Sequence, residues 1–370
     1  MRNKRQDTGT GEQALLSSRA VEEQIRDRGF SPPACALCAL ATLLTLLLCV
    51  CVGSVGISPS LTVSAVWKAI RSAVLGLQPP EGLNEAIILS VRLPRVLCVG
   101  LTGASLSLCG AAMQGLLKNP LADGSTLGVS SGASLGAVIA IAFGVALPSL
   151  PFAGTMGMAM LFAFLSLAVI LALAYRLDCS LSTNTIILIG VIYSMFASSL
   201  ISFITVYASD RVRQITFWTM GSLAGSGYGD ALVLFIALLV CGAAILCHGR
   251  ELNAFALGEE NARHIGVNVR RVRLIIMIAV SALIGVCVSI GGTIGFVGLV
   301  TPHMARMVAG PNHRRLLPAT MFAGACFLML ADLLARILLN PLELPIGVVT
   351  SFIGALVFIF IFYRSRRAER

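Results

Sequence analysis

The chain has 370 residues, a formal net charge of +10 and 57% hydrophobic side chains, with only 12% charged residues and a mean hydropathy of +0.90. A water-soluble domain carries roughly twice that charged share, and it has no need of repeated apolar runs of about 20 residues, the length that crosses a bilayer as a helix. The composition therefore excludes a soluble enzyme or nucleic-acid binder and predicts an all-α polytopic membrane protein.

Residues 1–33 are polar and of mixed charge. They lack the apolar stretch that follows the short basic start of a secretory signal, so a cytoplasmic N-terminal extension is expected. Residues 32–67 then carry no charged side chain. Hydropathy predicts ten spans near 34–57, 93–117, 124–147, 150–174, 184–207, 229–248, 272–291, 293–309, 316–335 and 345–363. The third and eighth are the weakest, being rich in Gly, Ser or Pro. Residues 364–370 form a basic tail.

An even count places both termini on one side. With the termini inside, the outer face keeps Lys68, Arg71, Arg92, Arg95, Arg211, Arg213 and Arg336, and the inner face collects the other twenty of the 27 basic residues. That bias predicts that both termini are cytoplasmic. The positive charge then reports topology and contact with anionic membrane lipid, not nucleic acid.

Two spans are broken. In "LGVSSGASLGAV", Gly128, Gly132 and Gly136 recur every four residues, a spacing suited to close helix contact. The preceding "KNPLAD" interrupts the helix at Pro120. In "FVGLVTPHMARMVAGPNHRRLLP", Pro302 removes a backbone donor, and such backbone survives at membrane depth only among neighbouring helices. One broken element follows span two and the other follows span seven. That odd offset predicts halves of inverted topology, an arrangement common in transporters.

The chemistry is sparse. No G-x-x-x-x-G-K-[ST] loop occurs, and Lys4, Lys68 and Lys118 are the only lysines, so the chain cannot cleave ATP alone. Carboxylates at mid-membrane, which an ion-coupled carrier would need, are nearly missing, since Asp332 and Asp123 lie near span ends. No Ser–His, paired-Asp or H-E-x-x-H set supports an intramembrane hydrolase. The cysteines read as small apolar packing groups, including the Cys35–Cys38 pair. His303 invites a metal reading, but no ligand set converges on it. With Arg306 it is expected to brace the short helix around Pro302. Arg336 lies four residues after Asp332, the spacing of a helical ion pair.

In "RLPRVL" (92–97), "GAAMQGLLKNPLADGSTLGVSSGASLG" (110–136), "FALGEENARHIGVNV" (255–269), "GTIGFVGLVTPHMARMVAGPNHRRLLP" (292–318), "ADLLAR" (331–336) and "ELPIGVVTSFIGA" (343–355), the chain resembles the FecCD family. These are permease subunits of type II ABC importers for ferric siderophores, haem and cobalamin. The resemblance implies a ten-helix permease domain (34–363) that works with a second permease copy, two cytoplasmic ATPases and an extracytoplasmic substrate-binding protein. It implies no cofactor or metal on this chain, ATP and Mg being held by the partner ATPase, and no catalytic residue. Residues 253–273 would form the coupling loop, with Leu257, Gly258, Ala262 and Gly266 as contact residues. Exposed Arg92, Arg95 and Arg336 would receive acidic groups of the binding protein. Span five would line the passage, closed on the inner side by turns at Asn119–Leu121 and Thr183–Asn184. A ferric siderophore is the expected substrate, with haem or cobalamin as alternatives and an ion-coupled secondary transporter as the competing class.

Overall fold

The computed structural model describes residues 30–53, 56–75, 82–124, 127–145, 153–177 and 183–368. Residues 1–29 of the N-terminal extension, Cys179 and the last two residues of the basic tail lie outside that set. Helices account for nearly all the described secondary structure. In chain order they are α1 Pro32–Cys51, α2 Pro59–Leu75, α3 Leu83–Leu117, α4 Val129–Phe143, α5 Ala153–Leu177, α6 Thr183–Tyr207 and α7 Val212–Thr219. Then come α8 Tyr228–Cys247, α9 Gly249–Ala256, α10 Glu259–His264, α11 Val269–Gly291, α12 Val297–Ala309, α13 His313–Ile337 and α14 Ile346–Ala368.

Among the described residues seven helices are long and apolar enough to cross a membrane. The shorter apolar helices α4 and α14, and the short Pro-containing helix α12, occupy the remaining expected spans. Several boundaries differ from expectation, four of them at the ends of the first, second and last spans. The first span ends at Cys51, and the amphipathic helix α2 follows it. The second begins at Leu83 and passes through a π-type turn at Ile87–Arg92. α1 already starts at Pro32, inside the expected extension, where Pro suits the first helical turn. α14 runs to Ala368, so the basic tail continues the last helix.

α3 is the central post. Its spanning window is 78% buried and that of α11 72%, against 11% for α1 and 22% for α6 and α8. α3 packs against α13, α12, α11 and α8, and α11 against α8, α5, α3 and α4. The contacts repeat under the exchange of α3 with α11, α4 with α12, α5 with α13 and α6 with α14. Thus α4–α5 answers α12–α13, α3–α13 answers α11–α5, and α4–α6 answers α12–α14. Five spans separate the partners, so the halves run in opposite directions.

The two broken helices share one device. α4 lies between Gly128 (φ 70°) and Gly144 (φ 65°), and α12 between Phe296 (φ 67°) and Gly310 (φ 80°). A left-handed residue at each end turns the chain sharply and keeps both helices short. Of the glycine stripe, Gly132 and Gly136 press α4 onto α5 at Ser166 and Met158, whereas Gly128 forms the cap and meets Gly190 of α6. The α3 helix ends at Leu117, and Lys118 (φ 50°) turns the chain two residues before Pro120. Along α3, a Cβ at Gly103 or Gly110 would strike the backbone of Gly324 or Gly298, so side-chain-free contact sets the helix spacing.

Pro302 lies inside α12 and deprives the Gly298 carbonyl of its helical donor. Gln114 of α3 supplies the replacement. Its Nε2 donates to Gly298 O at 3.4 Å and Leu299 O at 3.2 Å, and its Oε1 accepts from Arg306 Nη2 at 3.2 Å. Arg306 is thereby tied to α3 through Gln114, a residue the sequence reading did not single out. His303, expected to share in that bracing, is half-buried, and its side chain makes no hydrogen bond to another described residue. A Gln114→Leu variant leaves the Gly298 carbonyl unmet and is expected to lose about 1–3 kcal/mol, read as a lower unfolding midpoint in detergent.

Candidate functional site

Where the C-terminal ends of α1 and α13 meet the N-terminal half of α3, three arginines converge. Arg95 spans two carboxylates: Nη2 and Nε reach Asp332 Oδ1 at 2.9 and 3.1 Å, and Nη1 reaches Glu343 Oε2 at 2.7 Å. Asp332 also forms an ion pair with Arg336, Oδ2 to Nε at 3.0 Å. Arg336 donates to Cys49 O at 3.0 Å and Val52 O at 3.4 Å, and Arg92 to Val50 O and Cys51 O, both at 3.2 Å. Both guanidiniums therefore cap the negative end of the α1 dipole.

The expectation of exposed arginines is corrected here. Arg92, Arg95 and Arg336 are 5%, 7% and 3% exposed. Burial is tolerated because carboxylates and free helix-end carbonyls converge on the same point. Among these groups Glu343 is the accessible one, with a side chain 36% exposed.

The α8–α11 connection is built from two short helices, α9 and α10. α9 is amphipathic and buries Leu252, Ala254 and Phe255 against α3 and α13. Gly258 (φ 120°) lets the chain turn into α10, and Gly266 (φ 89°) releases it towards α11. Glu259 and Glu260 stand in the first turn of α10, where its dipole favours negative charge. Glu259 also pairs with Arg273 at the base of α11, fixing the loop to the span that follows.

Exposure sorts the predicted contact residues. Leu257 is 52% exposed, and Ile265, which the sequence reading passed over, is 65% exposed. Ala262 is fully buried on the inward side of α10, so it supports the loop and cannot touch a partner. A polar clamp ties the loop to α13. Asn253 Oδ1 accepts from His313 N at 2.8 Å and meets His313 Nδ1 at 2.9 Å, and Asn253 Nδ2 donates to Asn312 Oδ1 at 2.9 Å. Asn312 caps α13 by accepting from Arg314 N at 3.0 Å. The same helix α13 thus carries Asp332 and Arg336 at one end and the loop clamp at the other.

α6 buries only Ile186, Ile189, Gly190 and Ala197. Its other side presents a stripe including Ile192, Met195, Ser199 and Phe203, all exposed and uncharged. Asn119 shapes the α3–α4 turn by accepting from Leu121 N at 2.9 Å, and Leu121 is 54% exposed. Thr183 and Asn184 open α6, half-buried and exposed respectively. Gly128 and Gly190 hold this turn region against α6. The described cysteines are free, and Cys49 and Cys109 donate to backbone carbonyls of α13 and α11. Among the described residues no cluster of three His, Cys, Asp or Glu could hold a metal ion.

The FecCD transport family matches residues 41–364. YvrB, an uncharacterised ABC transporter permease of Bacillus subtilis (strain 168), is 41% identical over 325 residues, covering 88% of this chain and 91% of its own. The cobalamin import permease BtuC of Halobacterium salinarum is 37% identical, covering 82% of this chain and 81% of its own. The hemin transport permease HmuU of Yersinia pestis is 38% identical, covering 76% and 84%. A solved structure described as an inward-facing, metal-chelate type ABC transporter superposes with a TM-score of 0.79 at 31% identity, covering 90% of this chain and all of that one. Joined to a ten-span, inverted-repeat fold without a nucleotide-binding loop, these matches place the chain in the FecCD transport family, as the non-catalytic permease subunit of a type II ABC importer.

Proposed function

We propose that the chain pairs with a second permease copy to form the passage for a ferric siderophore or related large metal chelate, delivered by a substrate-binding protein and driven by two cytoplasmic ATPases. The observation that carries the substrate class is the α6 stripe: long, exposed and uncharged. A bare oxyanion, such as that named for the molybdate permease MolB of Haemophilus influenzae, calls for cationic or N–H donors along its path. A chelate hides its metal and presents a bulky, largely apolar wrapping, which this stripe suits. Haem and cobalamin fit the same surface, and relatives named for both are similar to this chain.

The positive-inside bias supports cytoplasmic termini in the bacterial inner membrane, and it puts the α9–α10 loop on the ATPase side. ATP and Mg would be held by that partner. On the inner face, Asn119, Leu121, Thr183 and Asn184 form the proposed gate, closing by bulk because none is charged. On the outer face, three guanidiniums against Asp332 and Glu343 leave a positive surplus for a binding-protein carboxylate. That carboxylate would take the place Glu343 holds on Arg95. Glu343→Gln, which weakens the internal competitor, is expected to tighten binding-protein docking several-fold at low salt, measured by surface binding to the purified complex.

The reading as a whole is tested in proteoliposomes holding permease, ATPase and binding protein. ATP-dependent accumulation of an iron-55 siderophore is expected, with labelled cobalamin and hemin as competing arms. Accumulation by the permease without the ATPase would establish an ion-coupled carrier instead.

A further inference from the structure

We propose that the recess between α1, α12 and α13 is a binding site for one anionic phospholipid of the inner leaflet. Its acyl chain lies in the apolar slot and its phosphate sits on Arg315. The recess has a volume of about 670 Å³, with walls that include Leu37 of α1, Met304 and Val308 of α12, and Phe322 of α13. Arg315 is the charged residue among the described residues that line it.

Three observations choose the occupant. First, α1 stands away from the bundle: its window is the least buried of the spans, Leu37 is 68% exposed and Val308 92% exposed. Side chains therefore leave the slot open, and at membrane depth an apolar slot is filled by hydrocarbon. Second, the α13 wall runs from Arg315 to Cys326. At 1.5 Å per residue that is roughly 16 Å, close to half of the ~30 Å hydrocarbon core. The slot has the depth of one leaflet. Third, the charge stands at one end only, where the first turns of α1 and α13 meet the last turn of α12, at the level of a headgroup. Basic pockets between spans at this level suit anionic headgroups. A guanidinium carries five donors in a fixed fork, so a phosphate can share Arg315 with its existing contacts.

Naming the leaflet rests on the proposed topology; the recess and its charge do not. The full-length protein, purified in mild detergent, is offered phosphatidylglycerol and phosphatidylcholine of identical chains and examined by native mass spectrometry. Wild type is expected to retain one phosphatidylglycerol per chain, preferred about fivefold, the worth of about one Arg near a charged membrane surface. Arg315→Gln should erase that preference while still binding lipid. Ala323→Trp, which fills the slot, should lose bound lipid of both kinds with unchanged elution as a folded species. Equal retention of the two lipids by wild type, or undiminished retention by Ala323→Trp, would overturn the proposal. So would lipid that appears only after deletion of residues 2–29, which would assign the slot to that segment. Loss of transport with lipid retention intact would count against the importer reading alone.

Discussion

Replacing Asp332 with Ala is expected to lower the stability of the permease by about 3–5 kcal/mol, the largest effect of any single change in the arginine cluster. Asp332 is 1% exposed and touches two guanidiniums that are themselves buried. Without it, Arg95 keeps only the half-exposed Glu343, and Arg336 keeps only the carbonyls at the end of α1. Two cations then remain in a low-dielectric site with too little compensation. Asp332→Asn keeps the shape and one acceptor, so its loss should be smaller. The measurement is the unfolding midpoint of the purified complex in detergent. Because the pair is buried, raising salt should change the difference little. An Ala variant as stable as wild type would reduce the cluster to an ordinary exposed ion pair.

Replacing Leu257 and Ile265 together with Asp is expected to abolish association with the ATPase and, with it, uptake. Burying a side chain of this size contributes about 1.5–3 kcal/mol, so losing both weakens the contact by a hundredfold or more. The fold should survive, because both side chains face away from it at 52% and 65% exposure. Co-purification of the ATPase reads the effect directly, and the isolated ATPase should hydrolyse ATP as before. Ala262→Asp makes the useful contrast. It forces a carboxylate onto the buried side of α10 and should unsettle the loop itself, lowering the yield of folded permease. Full recovery of the complex with the double Asp variant would remove the loop from the interface.

The spans were legible because a twenty-residue apolar run has few structural solutions in a bilayer. The short helices were harder. α4 and α12 were visible as interruptions, but their ends depend on single left-handed residues, and Phe296 carries no glycine to announce its conformation. α2 was missed because its apolar positions are spaced among Lys68, Arg71 and several small polar residues. Gln114 had a signal, as a lone amide inside "GAAMQGLL", yet only its reach to Gly298 shows that it answers the gap left by Pro302. The Asn253–Asn312–His313 clamp had none, since its two sides stand 59 positions apart in the chain.

What the sequence determined by itself was the medium, the number of crossings, the likeness of the two halves and the lack of a nucleotide-cleaving loop. Each of these follows from composition, period or a contiguous motif. What only the tertiary structure decided was which charged residues are spent inside the molecule. Arg92, Arg95 and Arg336 lie at span ends in the sequence and so read as exposed. They are buried because Asp332, Glu343 and the last carbonyls of α1 arrive at the same point from distant parts of the chain. A charge is buried or exposed according to the partners that meet it, and those partners are set by helix packing, not by neighbours in sequence.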